Sequence, residues 1–153
     1  MMLIPVAFSL GVIFLTILIH GVGTAWGVQL LLSQKHFTQE GAKVKYAMYY
    51  LSLTAVYLMI LHFIEIAVWA IVFLLIPNIE ELATFEEAIY FSMVTYATLG
   101  YGDITLGPYW RIMSGFEAMN GILLFGWSTA MFFSAVQKIL GQPKLPASKS
   151  NGG

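Results

Sequence analysis

The sequence predicts an all-α membrane protein with three transmembrane helices and one shorter, re-entrant segment. Two observations support this fold class. The chain of 153 residues is 59% hydrophobic and only 10% charged, whereas soluble domains contain about 25% charged residues. In addition, three separate segments are apolar over the roughly 20 residues that are needed to cross a bilayer.

The first element is an N-terminal transmembrane helix within residues 1–32. Its hydrophobic run has no basic region ahead of it, so we interpret it as a retained span and not as a signal peptide. A polar loop over 33–45 follows, and two further spans are predicted over 46–76 and 111–140. The tail, 141–153, is rich in Pro, Ser and Gly, and we expect it to be disordered.

The distribution of basic residues predicts the orientation in the membrane. Spans of this kind alternate in direction, so the loop 33–45 and the C-terminal tail lie on the same side. That side holds six of the seven basic residues, and the positive-inside rule therefore places it in the cytoplasm and the N-terminus outside. The six are Lys35, Lys43, Lys45, Lys138, Lys144 and Lys149.

Composition excludes several kinds of site. The chain has no cysteine, which rules out disulfides, thiol catalysis and thiolate metal sites. Its net charge is −1 and it shows no basic cluster, so we expect no nucleic-acid partner. No cofactor motif is present, and no span carries arginine at every third position, which excludes a voltage sensor.

The segment between the second and third spans predicts a helix that reaches only halfway across the membrane. Thr84 and Glu87 have the spacing of a capping box, and the helix is expected over 84–97. It is followed by Thr-Leu-Gly-Tyr-Gly at 98–102. Non-helical backbone is tolerated at membrane depth only where it is buried in protein or lines water.

The chemistry of the 98–102 segment favours a binding site for dehydrated potassium ions. Successive backbone carbonyls that point at one axis can replace the hydration shell of the ion. Such a strand needs a positive φ at some positions, which glycine tolerates, and Thr98 can add a hydroxyl. One segment supplies one carbonyl to each ring of ligands, so four chains are needed around the axis.

The stretch 84–103 resembles the pore region of the potassium channel superfamily, and 121–126 looks like the inner helix of its two-transmembrane bacterial members. Leu99 replaces the usual valine of the family filter. Ala97 and Val94 stand where many members have threonine or glutamate. These departures affect the expected packing behind the filter, and they leave its carbonyl rings unchanged.

The resemblance implies a potassium-selective channel in the cell membrane that works as a homotetramer around a central pore. It is not an enzyme, and K⁺ is both the transported ion and the only expected metal. The implied pore domain, 46–140, is preceded by one extra transmembrane helix. Its parts are an outer helix (46–76), a re-entrant pore helix (84–97), a selectivity filter (98–102) and an inner helix (111–140).

The resemblance also implies roles for individual residues. The filter ligands are Thr98, Leu99, Gly100, Tyr101 and Gly102. Asp103 follows the filter and needs a hydrogen-bond donor, for which Tyr90 and Trp110 are candidates.

The inner helix is expected to line the pore. Gly121 is either a hinge or a close-packing position, and a ring of Phe133 side chains is a candidate gate that closes by dewetting. The pore-lining set comprises Gly121, Ile122, Phe125, Thr129, Phe133 and Gln137.

Ionisable residues within the spans form a further predicted site. A bare carboxylate is costly at this depth, so each glutamate should be hydrogen-bonded, protonated, or paired with His62 or His20. We expect a polar cluster that braces the outer helix against the inner helix, formed by His62, Glu65, Trp69, Glu117 and Asn120.

Two alternatives to a potassium channel remain. The first is a nonselective cation channel of the same architecture. The second is an intramembrane metal-dependent enzyme or transporter with His20, His62 and the glutamates as ligands. The second alternative is disfavoured because the chain has no HExxH pair and because it leaves the 98–102 segment unexplained.

Overall fold

The computed structural model describes residues 3–32, 44–77 and 79–140, which form four helices. In chain order these are α1 (Leu3–Leu32), α2 (Val44–Leu75), α3 (Phe85–Tyr96) and α4 (Arg111–Leu140). Helices α1, α2 and α4 are long and apolar enough to cross a membrane. The protein is therefore an all-α membrane protein, as the composition predicts.

The helix bounds lie close to the predicted ones. Helix α2 starts two residues before the expected 46–76 and ends one residue before it. Helix α3 is one residue shorter at each end than 84–97, because its two flanking residues act as caps. Most of the predicted loop, 33–43, and the predicted disordered tail, 141–153, lie outside the described residues.

Helices α2, α3 and α4 pack around a shared aromatic core. Helix α3 contacts both long helices, which also contact each other. Trp69 and Phe73 of α2 are buried, and Phe73 meets Phe91 of α3 edge to face with ring centroids 5.4 Å apart. Met113 and Leu124 close the core from α4. This packing holds the short helix between two spans.

Helix α1 packs along α2 and α4. Gly23 lies close against the side chain of Leu61 on α2, and small residues of this kind let membrane helices approach each other. The Tyr57 hydroxyl of α2 donates a hydrogen bond to the carbonyl oxygen of Gly23 at 2.5 Å. Helix α1 is thus part of the same packed unit as the other three.

The start of α3 is fixed by the predicted capping box. The Glu87 amide donates to Thr84 Oγ1 at 3.2 Å, and the Thr84 amide donates back to Glu87 Oε2 at 2.9 Å. The Thr84 amide, together with the Thr84 hydroxyl that donates to Glu87 Oε2 at 3.0 Å, holds the pKa of the Glu87 carboxyl group below its usual value. The capping box satisfies amide groups that the first helical turn leaves free.

The end of α3 is fixed by a close approach of α4. A Cβ atom placed on Gly121 would collide with the backbone carbonyl oxygen of Tyr96, the last residue of α3. Of the two roles considered for Gly121, the structure therefore favours close packing. Only glycine, which has no side chain, lets α4 pack this close to the end of α3.

Candidate functional site

The chain leaves α3 in a tight turn and enters the 98–102 segment. The Thr98 amide donates to the Thr95 carbonyl at 2.9 Å, and the Leu99 amide donates to the Val94 carbonyl at 2.8 Å. The carbonyl end of a helix carries a partial negative charge. This charge therefore lies next to the start of the segment, where it favours a cation.

The backbone of the segment alternates in handedness. Thr98 has φ 60°, Gly100 has φ 57° and Gly102 has φ 78°, whereas Leu99 and Tyr101 between them have no positive φ. A positive φ is strained for a residue with a Cβ, above all for a β-branched one such as threonine. Alternation of this kind is what allows successive carbonyls of a strand to point to one side, as a row of cation ligands requires.

One side of this segment is bare in the single chain. The side chain of Leu99 is 56% exposed and that of Tyr101 is 67% exposed. Nothing lies within 4 Å of the point where a Cβ on Gly100 or Gly102 would sit. The segment also borders an open groove of about 650 Å³ between α3 and the start of α4.

Asp103, the residue after the 98–102 segment, is hydrogen-bonded to α3. The Tyr90 hydroxyl donates a hydrogen bond to Asp103 Oδ2 at 2.6 Å, and this bond holds the pKa of Asp103 below its usual value. Trp110, the other predicted donor, instead packs edge to face on Phe8 of α1, with ring centroids 6.3 Å apart. The Trp110 ring thus contacts α1, and the donor to Asp103 is Tyr90 alone of the two candidates.

Four of the six residues predicted to line a pore share an exposed face of α4. These are Ile122, Thr129, Phe133 and Gln137. The other two do not share this exposed face in the single chain. Gly121 is buried against α3, and the ring of Phe125 packs on His62 with centroids 4.5 Å apart. Gly126 continues the exposed face where Phe125 was expected, because that face follows a helical spacing of three or four residues.

A buried polar network surrounds Glu65, which is fully buried on α2. His20 Nδ1 of α1 lies 2.7 Å from Glu65 Oε1, and His62 Nδ1 lies 3.1 Å from Glu65 Oε2. The Tyr96 hydroxyl of α3 donates to Oε2 at 2.6 Å. The Ser128 hydroxyl of α4 lies 3.3 Å from His20 Nε2 and 2.9 Å from His62 Nε2. All four helices therefore meet in this network.

The remaining members of the predicted five-residue cluster stand apart from this network. Asn120 Nδ2 donates to Thr16 Oγ1 of α1 at 2.8 Å. The Trp69 indole nitrogen and both Glu117 oxygens are buried without a hydrogen-bond partner in the described part of the chain. The structure thus divides the expected cluster. Glu65 pairs with His20 of α1, whereas Asn120 bonds to a different residue of α1, Thr16.

Sequence reasoning missed two members of the network, Tyr96 and Ser128. His20 was named as a possible partner of a glutamate and as a possible metal ligand, but it was not placed in the cluster. Tyr96 lies next to Thr95 and Ser128 lies next to Thr129, and nothing in the sequence gives the angles at which the helices dock. The weak signal for His20 was its depth, since ionisable residues within spans usually face protein.

Comparison with known families gives one match. A family model described as an ion channel matches residues 48–138, which is more than half of the chain. The match covers most of α2 and α4, all of α3 and the 98–102 segment, and it leaves α1 outside. Neither the curated proteins nor the solved structures contain a significant match.

Proposed function

The chain belongs to the ion channel family, with a pore domain of the two-transmembrane potassium channel type, and from this premise we propose that it is a potassium-selective channel. It conducts K⁺ passively across the cell membrane through backbone carbonyls, it has no enzymatic activity, and conduction itself needs no cofactor. Residues 98–102 are the proposed selectivity filter, and α3 is the proposed pore helix.

One observation carries the proposal, and it is the alternating handedness of Thr98, Gly100 and Gly102. An ordinary strand points successive carbonyls to opposite sides and cannot surround an ion with them. A strand that points them to one side can replace the water shell of a potassium ion. The strain at Thr98 also indicates function, because strained backbone persists where the surrounding structure requires it.

The same segment supports a homotetramer. One chain contributes one carbonyl to each level of the filter, and potassium needs a ring of them. The bare sides of Leu99 and Tyr101 and the open groove beside them are surfaces that neighbouring subunits would cover. Four copies around an axis satisfy both requirements.

The charges at the helix ends support the proposed orientation. Lys45 lies at the start of α2 and Lys138 lies in the last turn of α4, which is the same end of this antiparallel pair. Glu86 and Asp103 lie at the opposite end, around α3. The positive-inside rule assigns the lysine end to the cytoplasm, so the proposed filter opens to the outside and the N-terminus lies there too.

The exposed face of α4 is the proposed lining of the inner pore. It follows the helix from Ile122 through Thr129 to Phe133 and Gln137. Phe133 is 60% exposed in the single chain, and four such rings at one level can close a pore by excluding water. Phe133 is therefore the proposed gate.

Ion flux from proteoliposomes tests the proposal. The purified protein should have the mass of four chains and should pass K⁺ much faster than Na⁺ under matched gradients. Liposomes without protein give the background leak. Comparable K⁺ and Na⁺ fluxes from a folded tetramer would replace the proposal with the nonselective alternative. No flux of either ion, from the parent or from Phe133→Ala, would refute a passive channel.

A further inference from the structure

Buried donor atoms from three helices converge at the centre of the subunit. His20 of α1, His62 of α2 and Glu65 of α2 each offer one ligand atom, and these atoms all lie within 4.8 Å of one another. We propose that His20, His62 and Glu65, with the Tyr96 hydroxyl as a fourth ligand, form a binding site for a divalent transition metal of the zinc class. This site is separate from the filter and does not depend on which ion the channel selects.

The distances between the donor atoms are close to those of a four-coordinate site. With metal–ligand bonds of about 2.1 Å, neighbouring ligands of a tetrahedral zinc ion are about 3.4 Å apart. Here His62 Nδ1 lies 3.4 Å from the Tyr96 hydroxyl and 3.1 Å from Glu65 Oε2. His20 Nδ1 lies 2.7 Å from Glu65 Oε1. The ligand atoms of the two histidines and Glu65 all lie within 4.8 Å of one another, so side-chain shifts can bring the four donors to bonding distance from one ion.

The second nitrogen of each histidine is placed as a metal ligand requires. A histidine that binds metal through one nitrogen donates the N–H of the other to an acceptor, which fixes the ring. His20 Nε2 and His62 Nε2 both face the hydroxyl of Ser128. A serine oxygen has two lone pairs and can accept both bonds. With metal on both Nδ1 atoms, every nitrogen of the two rings has a partner.

An extra proton shared between Glu65 and the two histidines is the other possible occupant of this position. A divalent ion would balance the charge of the Glu65 carboxylate, which is fully buried.

No basic side chain competes for this role in the described residues. Their only lysines and arginines are Lys45, Arg111 and Lys138, which lie at helix ends. The ligand types also select the metal. Imidazole nitrogen suits zinc, cobalt, nickel and copper, whereas calcium and magnesium prefer sites made of oxygen alone.

The position of the site gives it a structural consequence. The ion would bind α1, α2 and α3 directly and would hold α4 through Ser128. Tyr96 lies two residues before Thr98, where the proposed filter begins. A metal here would therefore attach α1, which lies outside the family match, to the base of the filter.

Cobalt binding tests the proposal, because Co²⁺ occupies zinc sites and its visible absorption reports four-coordinate geometry. The full-length tetramer, stripped with a chelator in detergent, should bind a single Co²⁺ per subunit and develop this absorption, and Zn²⁺ should abolish it by displacement. His62→Gln and Glu65→Gln should lose the absorption. Glu86→Gln is the matched control for Glu65→Gln, because it makes the same change at an exposed position of α3, and it should behave as the parent.

Tyr96→Phe provides a second test of the site if His62→Gln and Glu65→Gln do not assemble. It preserves the ring, removes the fourth ligand and should weaken cobalt binding and alter the spectrum. Zn²⁺ should also raise the temperature at which the parent tetramer dissociates. Absence of cobalt absorption in a folded parent, or binding that survives in His62→Gln, Glu65→Gln and Tyr96→Phe alike, would overturn the proposal. A parent without metal whose network is intact would identify the extra proton as the occupant.

Discussion

At the scale of single residues, the proposed function depends on a few backbone angles and one exposed hydrogen bond. Thr98, Gly100 and Gly102 have the positive φ values that the proposed filter requires. Tyr90 holds the carboxyl group that follows them. The chain has glycines with a positive φ and glycines without one. Substituting alanine at one of each kind therefore measures what the positive φ itself contributes.

Gly100→Ala should impair selectivity through backbone strain alone. An added Cβ meets nothing within 4 Å, but alanine at this positive φ costs about 1–2 kcal/mol per residue. The filter should relax, and the ratio of K⁺ to Na⁺ flux should fall. Gly115→Ala is the matched control, because its Cβ also meets nothing and its φ is not positive. An unchanged flux ratio in Gly100→Ala would mean that the angle is not needed.

Tyr90→Phe should make the channel more sensitive to acid. The bond from Tyr90 lowers the pKa of Asp103, so its stabilising effect is fully present above the usual carboxyl pKa and is lost as pH falls through the lowered one. Removing the hydroxyl returns the pKa towards its usual value. The loss of K⁺ flux on external acidification should therefore begin at a higher pH in the variant.

The control for this titration is Tyr109→Phe, since Tyr109 packs on Trp110 and makes no contact with Asp103. It should titrate as the parent does. Identical acid profiles for Tyr90→Phe and the parent would show that Asp103 does not govern flux at the outer mouth.

At the scale of helices, the sequence predicts where each helix begins and ends better than it predicts how the helix is rotated about its own axis. Hydropathy and the capping box locate α1, α3 and α4 to within a residue, because both signals are local. The contact of Phe125 with His62 could not be predicted, because it depends on how α4 is rotated against its neighbours. The pairing of Glu65 with His62 or His20 was expected, but the contributions of Tyr96 and Ser128 were missed, since they depend on how the helices dock.

Gly121→Ala should disrupt the contact between α4 and the end of α3. The added Cβ collides with the Tyr96 carbonyl oxygen, which belongs to rigid backbone and cannot easily move. We expect a tetramer that dissociates at lower temperature, with a loss of stability of about 1–3 kcal/mol, typical of overpacking. Gly115→Ala again serves as the control. A stable tetramer with reduced opening would instead identify Gly121 as a hinge.

Phe133→Ala should raise the basal K⁺ flux. The side chain is exposed on the proposed pore face, and removing four rings from one level widens the constriction and lets water enter. Phe132→Ala is the matched control, because its ring lies on a different face and is partly buried. Equal basal flux in the parent and Phe133→Ala would place the gate elsewhere, for example at the filter.

At the scale of the whole molecule, a single chain leaves two candidate contact surfaces exposed. The 98–102 segment has one bare side, and the exposed face of α4 is apolar at Ile122 and Phe133. In the proposed tetramer, copies of the chain around an axis would cover both surfaces. Helix α1 packs against α2 and α4 and lies outside the family match.

The reversal potential of the open channel tests the central claim, that this tetramer selects potassium over sodium, most directly. The measurement is made in a planar bilayer with K⁺ on one side and Na⁺ at the same concentration on the other. The account predicts that current stops only when the K⁺ side is held strongly negative, because K⁺ leaves through the filter and Na⁺ does not enter. A reversal potential near zero in the folded parent tetramer would contradict it.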